Sequence, residues 1–342
     1  MANEFEQFEK RKQDHIKLAL MPENQTDNLS SFDNLHFEHE ALPDLDFDEI
    51  SIESNRFGVK VKSPFLISSM TAGHLHAASI NRNLIEACAQ SGWAMGVGSQ
   101  RRELTDPKAA FEWRSLRQDY PHVSLFSNIG IAQLIISSVT DIQRITESLQ
   151  ADALIVHCNP LQECIQPEGD TTYKGCWNAL ENIVKKLGLP IIVKETGCGF
   201  SASTVRRLKD IGIAALDVSG LGGTHWGRIE GHRAIHDPVR YQAGITFKDW
   251  GVDTVASVKT AVELQPVFEV WGSGGVLNGL NAAKLFALGA STVGYAKPML
   301  EVALESVEQV MLRMSTIEYE LKVAMFCTGS RVLSDLKGKL CA

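Results

Sequence analysis

A segment near the middle of the chain places many polar side chains directly after an apolar run. The segment LIVHCNPLQECIQPEGD, residues 154–170, begins as a buried strand would. Polar side chains then follow: His157, Asn159, Gln162, Glu163, Glu168 and Asp170. Burying an uncompensated polar group is costly, so we expect these side chains to face a cleft rather than the core.

Two glycine-containing segments near the C-terminus have the composition of a phosphate site. They are GSGG (272–275) and GYAKP (294–298). Glycines let backbone N–H groups approach an anion closely, and a following helix N-terminus favours negative charge. GSGG alone fits a tight turn equally well, but the pair predicts a phosphorylated ligand.

Lys194 ends the apolar run IIVKE. An unpaired ammonium is costly to bury, so Lys194 should face a cleft or an anionic partner. One interpretation is a structural pair with the adjacent Glu195. The other is a cation beside a cofactor that develops negative charge.

Other charged residues give weaker indications. Arg101 begins a predicted helix, where the helix dipole disfavours a cation, which hints at an anionic ligand. Arg11 and Lys12 alone would be a solvated helix face. His232 and His236 have the spacing of a helical metal pair but lack a third ligand nearby, so we expect them on the surface.

Composition limits the class of protein. The chain of 342 residues has 33 Lys and Arg against 41 Asp and Glu, a net charge of −8. This argues against general binding of nucleic acid or anionic membrane, and an anionic substrate would need a local basic patch or a metal ion. The 7 cysteines contain no CxxC pair, and neither a signal peptide nor an apolar run of ~18 residues occurs, so we expect a soluble cytoplasmic protein.

Short apolar segments with strand composition recur along the chain, each followed by a helical pattern. They lie at 64–70, 92–98, 123–130, 153–160, 190–197, 214–220, 267–275 and 291–298. Most lack a two-residue alternation, as expected of parallel strands covered on both faces. Eight such units predict an α/β fold, a (βα)8 TIM barrel. A doubly wound sheet is the alternative, but it would more often stop near six strands.

A barrel of this kind places its active site at the C-terminal ends of its strands. The predicted strand ends all carry polar or glycine residues: Ser69, Met70 and Thr71; Ser99, Gln100 and Arg101; Asn128; His157, Asn159, Gln162 and Glu163; Lys194 and Glu195; Ser219 and Thr224; Ser273, Gly274 and Gly275; Ala296 and Lys297. Their coincidence around one ring predicts a functional site there.

Two segments lie outside the repeated units. Residues 1–62 form an N-terminal extension or cap that includes a possible hairpin with Asn55 and Arg56 near its turn, and the barrel spans 63–342. Residues 225–250 form a long polar loop after strand six, of a length typical of lids or binding loops.

Several motifs in order along nearly the whole chain resemble the type 2 isopentenyl-diphosphate isomerases, a family of flavin-dependent (βα)8 barrels. The motifs are RKQDH, SSMTAGH, GVGSQR, HxNxxQE followed by PEGD, VKETGCG, VSGLGGTHW and GSGGV. Two departures occur, since Ala72 stands where the family often has Gly and His225 where it often has Asn.

The resemblance implies roles for particular residues. It implies FMN contacts at Ser69, Met70, Thr71, Ser99, Asn128, Lys194, Ser219, Thr224, Ser273, Gly274, Gly275, Ala296 and Lys297. It implies substrate contacts at Arg11, Lys12, Ser99, Gln100, Arg101, His157 and Gln162. Glu163 would hold Mg²⁺ against a diphosphate, and Trp226 and Glu230 match a WxxxE segment.

The same resemblance implies an activity and a quaternary state. The activity is the interconversion of isopentenyl and dimethylallyl diphosphate by a 1,3-allylic proton shift, with reduced FMN as the acid–base group and NADPH as its reductant. Gln162, Glu230, His157 and Trp226 are the expected catalytic side chains. A small-molecule diphosphate is the expected partner, and the chain would form a homo-oligomer, a tetramer or octamer.

Two other functions share some of these features. The first is an FMN-dependent oxidoreductase of the α-hydroxy-acid or inosine-phosphate dehydrogenase-like barrels. The former would need a His proton acceptor and an Arg clamp late in the barrel, and the latter a Cys after strand six, where this chain reads GLGGTHW. The second is a non-catalytic flavin-binding or metabolite-sensing barrel, which would not need Gln162 and Glu163 beside an Arg-Lys patch.

Overall fold

A computed structural model describes residues 2–70, 75–264 and 266–341. Its strands are β1 (Ser54–Arg56), β2 (Val59–Val61), β3 (Phe65–Ile67), β4 (Ala94–Gly96), β5 (Leu125–Gly130), β6 (Ala153–Cys158), β7 (Ile191–Glu195), β8 (Ala215–Asp217), β9 (Glu269–Gly272) and β10 (Thr292–Tyr295). Strands β3 to β10 form a closed barrel in sequence order, in which every pair is parallel. The eight predicted strands are confirmed, and the doubly wound alternative is wrong.

Most helices follow barrel strands and form the outer layer, whereas α1 precedes the barrel in the chain. They are α1 (Ala2–Ala19), α2 (Leu75–Ser91), α3 (Phe111–Asp119), α4 (Ile131–Ile136), α5 (Val139–Leu149), α6 (Pro160–Ile165), α7 (Cys176–Lys186), α8 (Ala202–Ile211), α9 (Trp226–Arg233), α10 (Pro238–Thr246), α11 (Thr254–Glu263), α12 (Gly279–Leu288), α13 (Lys297–Ala303) and α14 (Val307–Phe326). No helix in the described ranges is long and apolar enough to cross a membrane.

Helix α8 begins and ends where its sequence provides caps. In α8, Ser201 accepts a hydrogen bond from the Thr204 N–H at the start, and Gly212 ends the helix with a φ of +83°. Val205 and Leu208 of this helix are buried against the barrel. The predicted strands were too long at their C-terminal ends, because Pro160 and Lys297 already begin helices α6 and α13.

The barrel interior is a packed core below the site. Its side chains are Leu66, Ala94, Phe126, Ala153, Ile155, Ile192, Ala215 and Trp271. The N-terminal hairpin covers the end of the barrel opposite the site. The ring centroids of Phe57 and Trp271 lie 5.5 Å apart, and the Phe57 N–H donates to the Glu269 carboxylate. The turn falls at Phe57 and Gly58, both with positive φ, directly after Arg56, so the predicted hairpin with Asn55 and Arg56 near its turn is confirmed. Asn55 and Arg56 are the last two residues of β1 and pair with Lys60 and Val59 of β2.

The N-terminal extension also reaches the opposite end of the barrel. Helix α1 lies across the C-terminal mouth, where its Arg11, Lys12 and His15 line the central cleft. Thr26 then bonds through its N–H to the Gly223 carbonyl at 2.8 Å in the loop after β8. The N-terminal extension therefore covers one end of the barrel with its hairpin and lines the cleft at the other end with α1.

The segment 225–250 is not the long loop that we expected. It folds as helices α9 and α10, which pack closely because Gly231 meets Gly244 at their crossing. Its first turn is buried, including His225 and Glu230, both 0% exposed. The two glycines at the crossing allow this packing, although glycine has a low helix propensity.

Candidate active site

One cleft at the C-terminal end of the barrel collects nearly all the predicted site residues. It is lined by Arg11, Lys12, Ser69, Met70, Ser99, Arg101, Asn128, His157, Gln162, Glu163, Lys194, Ser219, Thr224, Trp226, Ser273, Gly274, Gly275, Ala296 and Lys297. Parallel strands deliver their C-terminal ends to one rim, so residues far apart in sequence meet there. Thr71 lies outside the described residues.

A buried ion pair forms the floor of the cleft. Strand register places His157 beside Lys194 and Lys194 beside Asp217, so the three side chains point to the same face. The Lys194 Nζ lies 3.0 Å from the Asp217 carboxylate and also donates to the Ser273 hydroxyl at 3.2 Å. Ser273 in turn donates to Asp217 at 2.6 Å. This network holds an ammonium at the base of the cleft without leaving its charge uncompensated.

Glu195 is not the partner of Lys194, because neighbouring residues of a strand point to opposite faces. Its carboxylate instead accepts the backbone N–H groups of Thr196, Gly197 and Cys198 at 2.5–2.8 Å. Burial raises the pKa of Glu195 to about 7, although these N–H groups favour the anion. Glu195 therefore shapes the turn after β7, where Thr196 and Gly197 line the cleft.

A glycine cradle lies beside this floor and fits the phosphate end of a nucleotide cofactor. Gly274 and Gly275 have φ values of +97° and +69°, and a Cβ on Gly275 would lie 2.0 Å from the Gly222 carbonyl oxygen. Only glycine can occupy these positions, which leaves the backbone open to an anion. After β3, the buried Ser69 hydroxyl also lines the cleft and has no hydrogen-bond partner among the described residues, as expected of a group that contacts a ligand.

His157 is held as a neutral imidazole. Its Nδ1 lies 2.8 Å from the Asn128 Oδ1, which fixes the ring. Burial and the nearby charges of Lys12 and Lys194 lower the pKa of His157 to about 4. At neutral pH this side chain can donate or accept hydrogen bonds, but it does not add positive charge to the cleft.

Glu163 presents the carboxylate expected to bind a metal. One oxygen accepts from the Asn159 amide at 2.9 Å and the other from the Asp170 N–H at 2.6 Å, so the orientation is fixed and lone pairs remain. Residues 2–70, 75–264 and 266–341 contain no group of three or more His, Cys, Asp or Glu arranged to hold a metal ion. A single carboxylate fits Mg²⁺ that takes its other ligands from a diphosphate and water.

Glu230 lies behind the cleft rather than on its wall. It is 0% exposed and accepts a hydrogen bond from Gln162 at 3.1 Å. It also contacts the His15 Nε2 at 2.7 Å and the Arg233 guanidinium at 2.5 Å. Burial favours its neutral acid, but His15 and Arg233 outweigh that effect and lower the pKa of Glu230. Glu230 is therefore connected to the cleft through Gln162 and His15, which both line it.

Three cations gather at the opening of the cleft. Arg11 and Lys12 belong to α1, so they are not the solvated helix face that their local sequence suggests. Burial and the charge of Arg11 lower the pKa of Lys12 to about 8. Arg101 is exposed at the rim, in a short 3₁₀ helix. Together they supply the local basic patch that an acidic protein needs to bind an anion.

Two polar residues near the rim are buried. Gln100 is outside the lining of the cleft, because its carboxamide is buried and bonded to Ser127 and to the Asn128 N–H, so it supports Asn128. The substrate contact that the resemblance implies for Gln100 stays a prediction. His225 is also fully buried and caps α9, accepting from the Arg228 N–H at 3.2 Å.

Three residues of this site were missed from the sequence. Asp217 ends the apolar run AALD, and that position was the available signal. His15 and Arg233 carry no local signal, because each looks like a polar residue on a helix surface. Only the packing of α1 against α9 buries them together. His232 and His236 are exposed, as predicted.

The fold and site define a class of protein, a flavin-binding (βα)8 barrel. The family model for FMN-dependent dehydrogenase matches residues 9–121 and 134–342. A crystal structure of (S)-mandelate dehydrogenase, described as a monotopic membrane protein, shares the fold with a TM-score of 0.69 over 98% of both chains at 14% identity. The identity is too low to carry more than the fold.

Curated relatives narrow the class to one enzyme. The isopentenyl-diphosphate delta-isomerase of Legionella pneumophila (strain Corby) is 66% identical over 341 residues, covering 100% of both chains. The isopentenyl-diphosphate delta-isomerase of Bdellovibrio bacteriovorus is 51% identical over 337 residues, or 97% of each. The chain therefore belongs to the FMN-dependent, type 2 isopentenyl-diphosphate delta-isomerases.

Proposed function

We propose that this enzyme interconverts isopentenyl and dimethylallyl diphosphate by a 1,3-allylic proton shift, with Mg²⁺ on the diphosphate and NADPH as the reductant of its FMN. The reaction adds a proton to one end of the alkene and removes another from the allylic carbon. The substrate is neither oxidised nor reduced, so the nicotinamide is needed only to prime the flavin. The proposal includes a homo-oligomer, a tetramer or octamer.

The diphosphate is assigned to the cationic opening of the cleft. Arg11, Lys12 and Arg101 line this part, and Glu163 stands near it with a fixed carboxylate. A magnesium ion between Glu163 and the diphosphate would offset the repulsion between two anions. Lys12 retains most of its charge at pH 7, because its lowered pKa of about 8 is still above that pH.

The hydrocarbon needs a dry environment, because a tertiary carbocation would be trapped by water. Apolar groups of the cleft are suited to this task. Ile16 and Ala19 of α1, together with the Trp226 ring, line it from one side. Trp226 is held in place by an edge-on contact with His15, with ring centroids 5.0 Å apart. An aromatic face beside a developing cation is also electrostatically favourable.

The flavin is assigned to the floor and the glycine cradle. Its phosphate would contact Gly274 and Gly275, while the ring would lie near Lys194, whose charge favours an anionic reduced ring. Reduced FMN supplies, through N5, an acid–base group that can protonate an alkene. The protein contributes placement and charge, and Ser69, Ser219 and Thr224 complete the contacts.

Gln162 and Glu230 are assigned to proton movement. The Gln162 amide lines the cleft and donates to Glu230 at 3.1 Å, so it connects the site to a buried carboxylate. The lowered pKa of Glu230 keeps it a carboxylate at neutral pH, which is the form that can accept a proton or a hydrogen bond from Gln162. His157 would hold the substrate as a neutral hydrogen-bonding partner.

One observation carries this proposal: the metal-type carboxylate of Glu163, the Gln162 amide and the cations of α1 share a single cleft with Lys194 and the glycine cradle. The test is an anaerobic assay of isopentenyl diphosphate with Mg²⁺, with and without prior reduction of the bound flavin by NADPH. Dimethylallyl diphosphate should form only after reduction. Equal rates with oxidised flavin, or after removal of FMN, would contradict the proposal.

A further inference from the structure

We propose that Arg233 is a positioning residue for the isomerisation, which fixes the Glu230 carboxylate against Gln162 and ties it to the segment that orients Glu163. This inference rests on the proposed function and extends it to a residue outside the cleft wall. Arg233 is the last residue of α9, one helical turn beyond Glu230.

The contacts of Arg233 are those of a bridge between two carboxylates. Its Nη1 donates to Glu230 at 2.5 Å, and its Nη2 donates to Glu168 at 3.0 Å. The side chain is 10% exposed, against 0% for Glu230 and 44% for Glu168. A planar guanidinium can satisfy both partners at once, whereas a lysine ammonium is a single point charge.

The Glu168 end of this bridge leads back to the metal carboxylate. Glu168 belongs to the segment 166–170, which folds tightly onto α6, because a Cβ on Gly169 would lie 2.0 Å from the Glu163 carbonyl oxygen. The next N–H, of Asp170, donates to the Glu163 carboxylate at 2.6 Å. A fixed position of Glu168 therefore helps to fix the side chain that binds Mg²⁺.

The Glu230 end leads to the proton-transfer group. Glu230 accepts from Gln162 with the same oxygen that meets His15, and its second oxygen is taken by Arg233. Without Arg233, that oxygen would be buried without a partner, and the carboxylate could rotate away from Gln162.

The charged groups around Glu230 come from two elements. Arg11, Lys12 and His15 face it from α1, and Arg233 faces it from its own helix. Burial lowers the pKa of both Lys12 and His15, so a change in either charge also acts on Glu230. Arg233 shows the opposite behaviour, because its two carboxylate partners raise its pKa despite burial. Arg233 therefore keeps its charge beside Glu230 throughout the neutral pH range.

The test compares Arg233→Gln with the wild-type holoenzyme. We expect kcat to fall by about tenfold to a hundredfold with a smaller change in KM, because the lost contact acts on proton transfer. The acid limb of the pH profile of kcat should move up by about one unit, because Glu230 loses a cationic partner that lowers its pKa. The Mg²⁺ concentration for half-maximal activity should also rise.

Two further variants keep the result interpretable. Arg240→Gln removes an equally charged residue from α10 that pairs only locally with Asp237, and it should leave kcat and the pH limb unchanged. Glu168→Gln removes the outer partner alone, so it should raise the Mg²⁺ requirement while the acid limb stays or moves down. If Arg233→Gln does not retain FMN, as judged by its absorbance, Glu168→Gln serves as the test variant in its place.

The outcomes separate this inference from the proposed function. An inactive wild type would contradict the proposed function itself. An active wild type with Arg233→Gln indistinguishable from Arg240→Gln, in kcat, pH limb and Mg²⁺ requirement, would overturn only the role of Arg233. An upward shift of the acid limb in Glu168→Gln would likewise overturn the role of Arg233.

Discussion

The Lys194 ammonium and the Asp217 carboxylate lie 3.0 Å apart at the base of the cleft, and both side chains are almost fully buried. Strand register brings them together, since Lys194 and Asp217 are paired residues of β7 and β8. Each charge makes burial of the other tolerable, because an isolated charge in this position would carry a large desolvation penalty. The pair therefore places an ammonium at the base of the cleft without leaving an unpaired charge, at the position where we propose that the flavin ring binds.

Replacing Lys194 should affect both cofactor binding and stability. Lys194→Ala leaves Asp217 buried and unpaired, so the free energy of unfolding should fall by about 3–5 kcal/mol. FMN affinity should fall by about tenfold or more, measured by fluorescence titration, with stability measured by urea unfolding. Lys297→Ala is the matched control, because Lys297 is 3.8 Å from its partner Glu301 and partly exposed. Equal, small effects of the two changes would count against the assignment of Lys194.

Replacing Glu163 should change the metal requirement. Glu163→Ala removes the fixed carboxylate of the cleft, so more Mg²⁺ should be needed for half-maximal activity, by about tenfold or more. The measurement is a Mg²⁺ titration of the initial rate at saturating substrate. Asp170→Asn, which keeps the backbone N–H that bonds to Glu163, is the control and should behave as the wild type. An unchanged metal dependence in Glu163→Ala would remove Glu163 from the metal site.

Replacing Gln162 should lower turnover more than it weakens binding. Gln162→Ala breaks the 3.1 Å bond to Glu230, so we expect kcat to fall by about a hundredfold. Steady-state kinetics in both reaction directions measures this effect. Gln166→Ala is a partial control, because Gln166 bonds to Gln162 at 3.3 Å but not to Glu230 in the described structure. A comparable loss in both variants would indicate a general packing effect instead.

The buried Glu195 should make stability depend on pH. Burial raises its pKa to about 7 in the folded protein, above the usual value of 4.5. The folded state thus holds this proton more tightly, so the stabilisation is present below about pH 4.5 and is lost as pH rises through 7. We expect a loss of at most about 3 kcal/mol across this window, absent in Glu195→Gln. Urea unfolding of both proteins with FMN at pH 5 and pH 8 measures it, and parallel pH dependence would contradict the assignment.

Local sequence was sufficient for the barrel because the apolar runs are short, recur regularly and end in polar residues. The ring of site residues followed from this count, since parallel strands share one rim. Helix ends were readable where a cap residue stands at the right position, as Ser201 and Gly212 do for α8. The hairpin was predicted with Asn55 and Arg56 near its turn, but the turn residues themselves, Phe57 and Gly58, were not identified, because an aromatic residue with positive φ is not a usual turn signal.

The chemical types at the rim were thus determined by the sequence itself: a lysine, a pair of glycines, a carboxylate and an amide. Tertiary structure alone decided which charges are paired and which face the cleft. Lys194 pairs with Asp217 across a strand instead of with its neighbour Glu195, Gln100 turns inward, and His15 is brought from α1 to Glu230. The physical reason is that pairing and desolvation depend on distances between segments remote in the chain, and no local pattern encodes those distances.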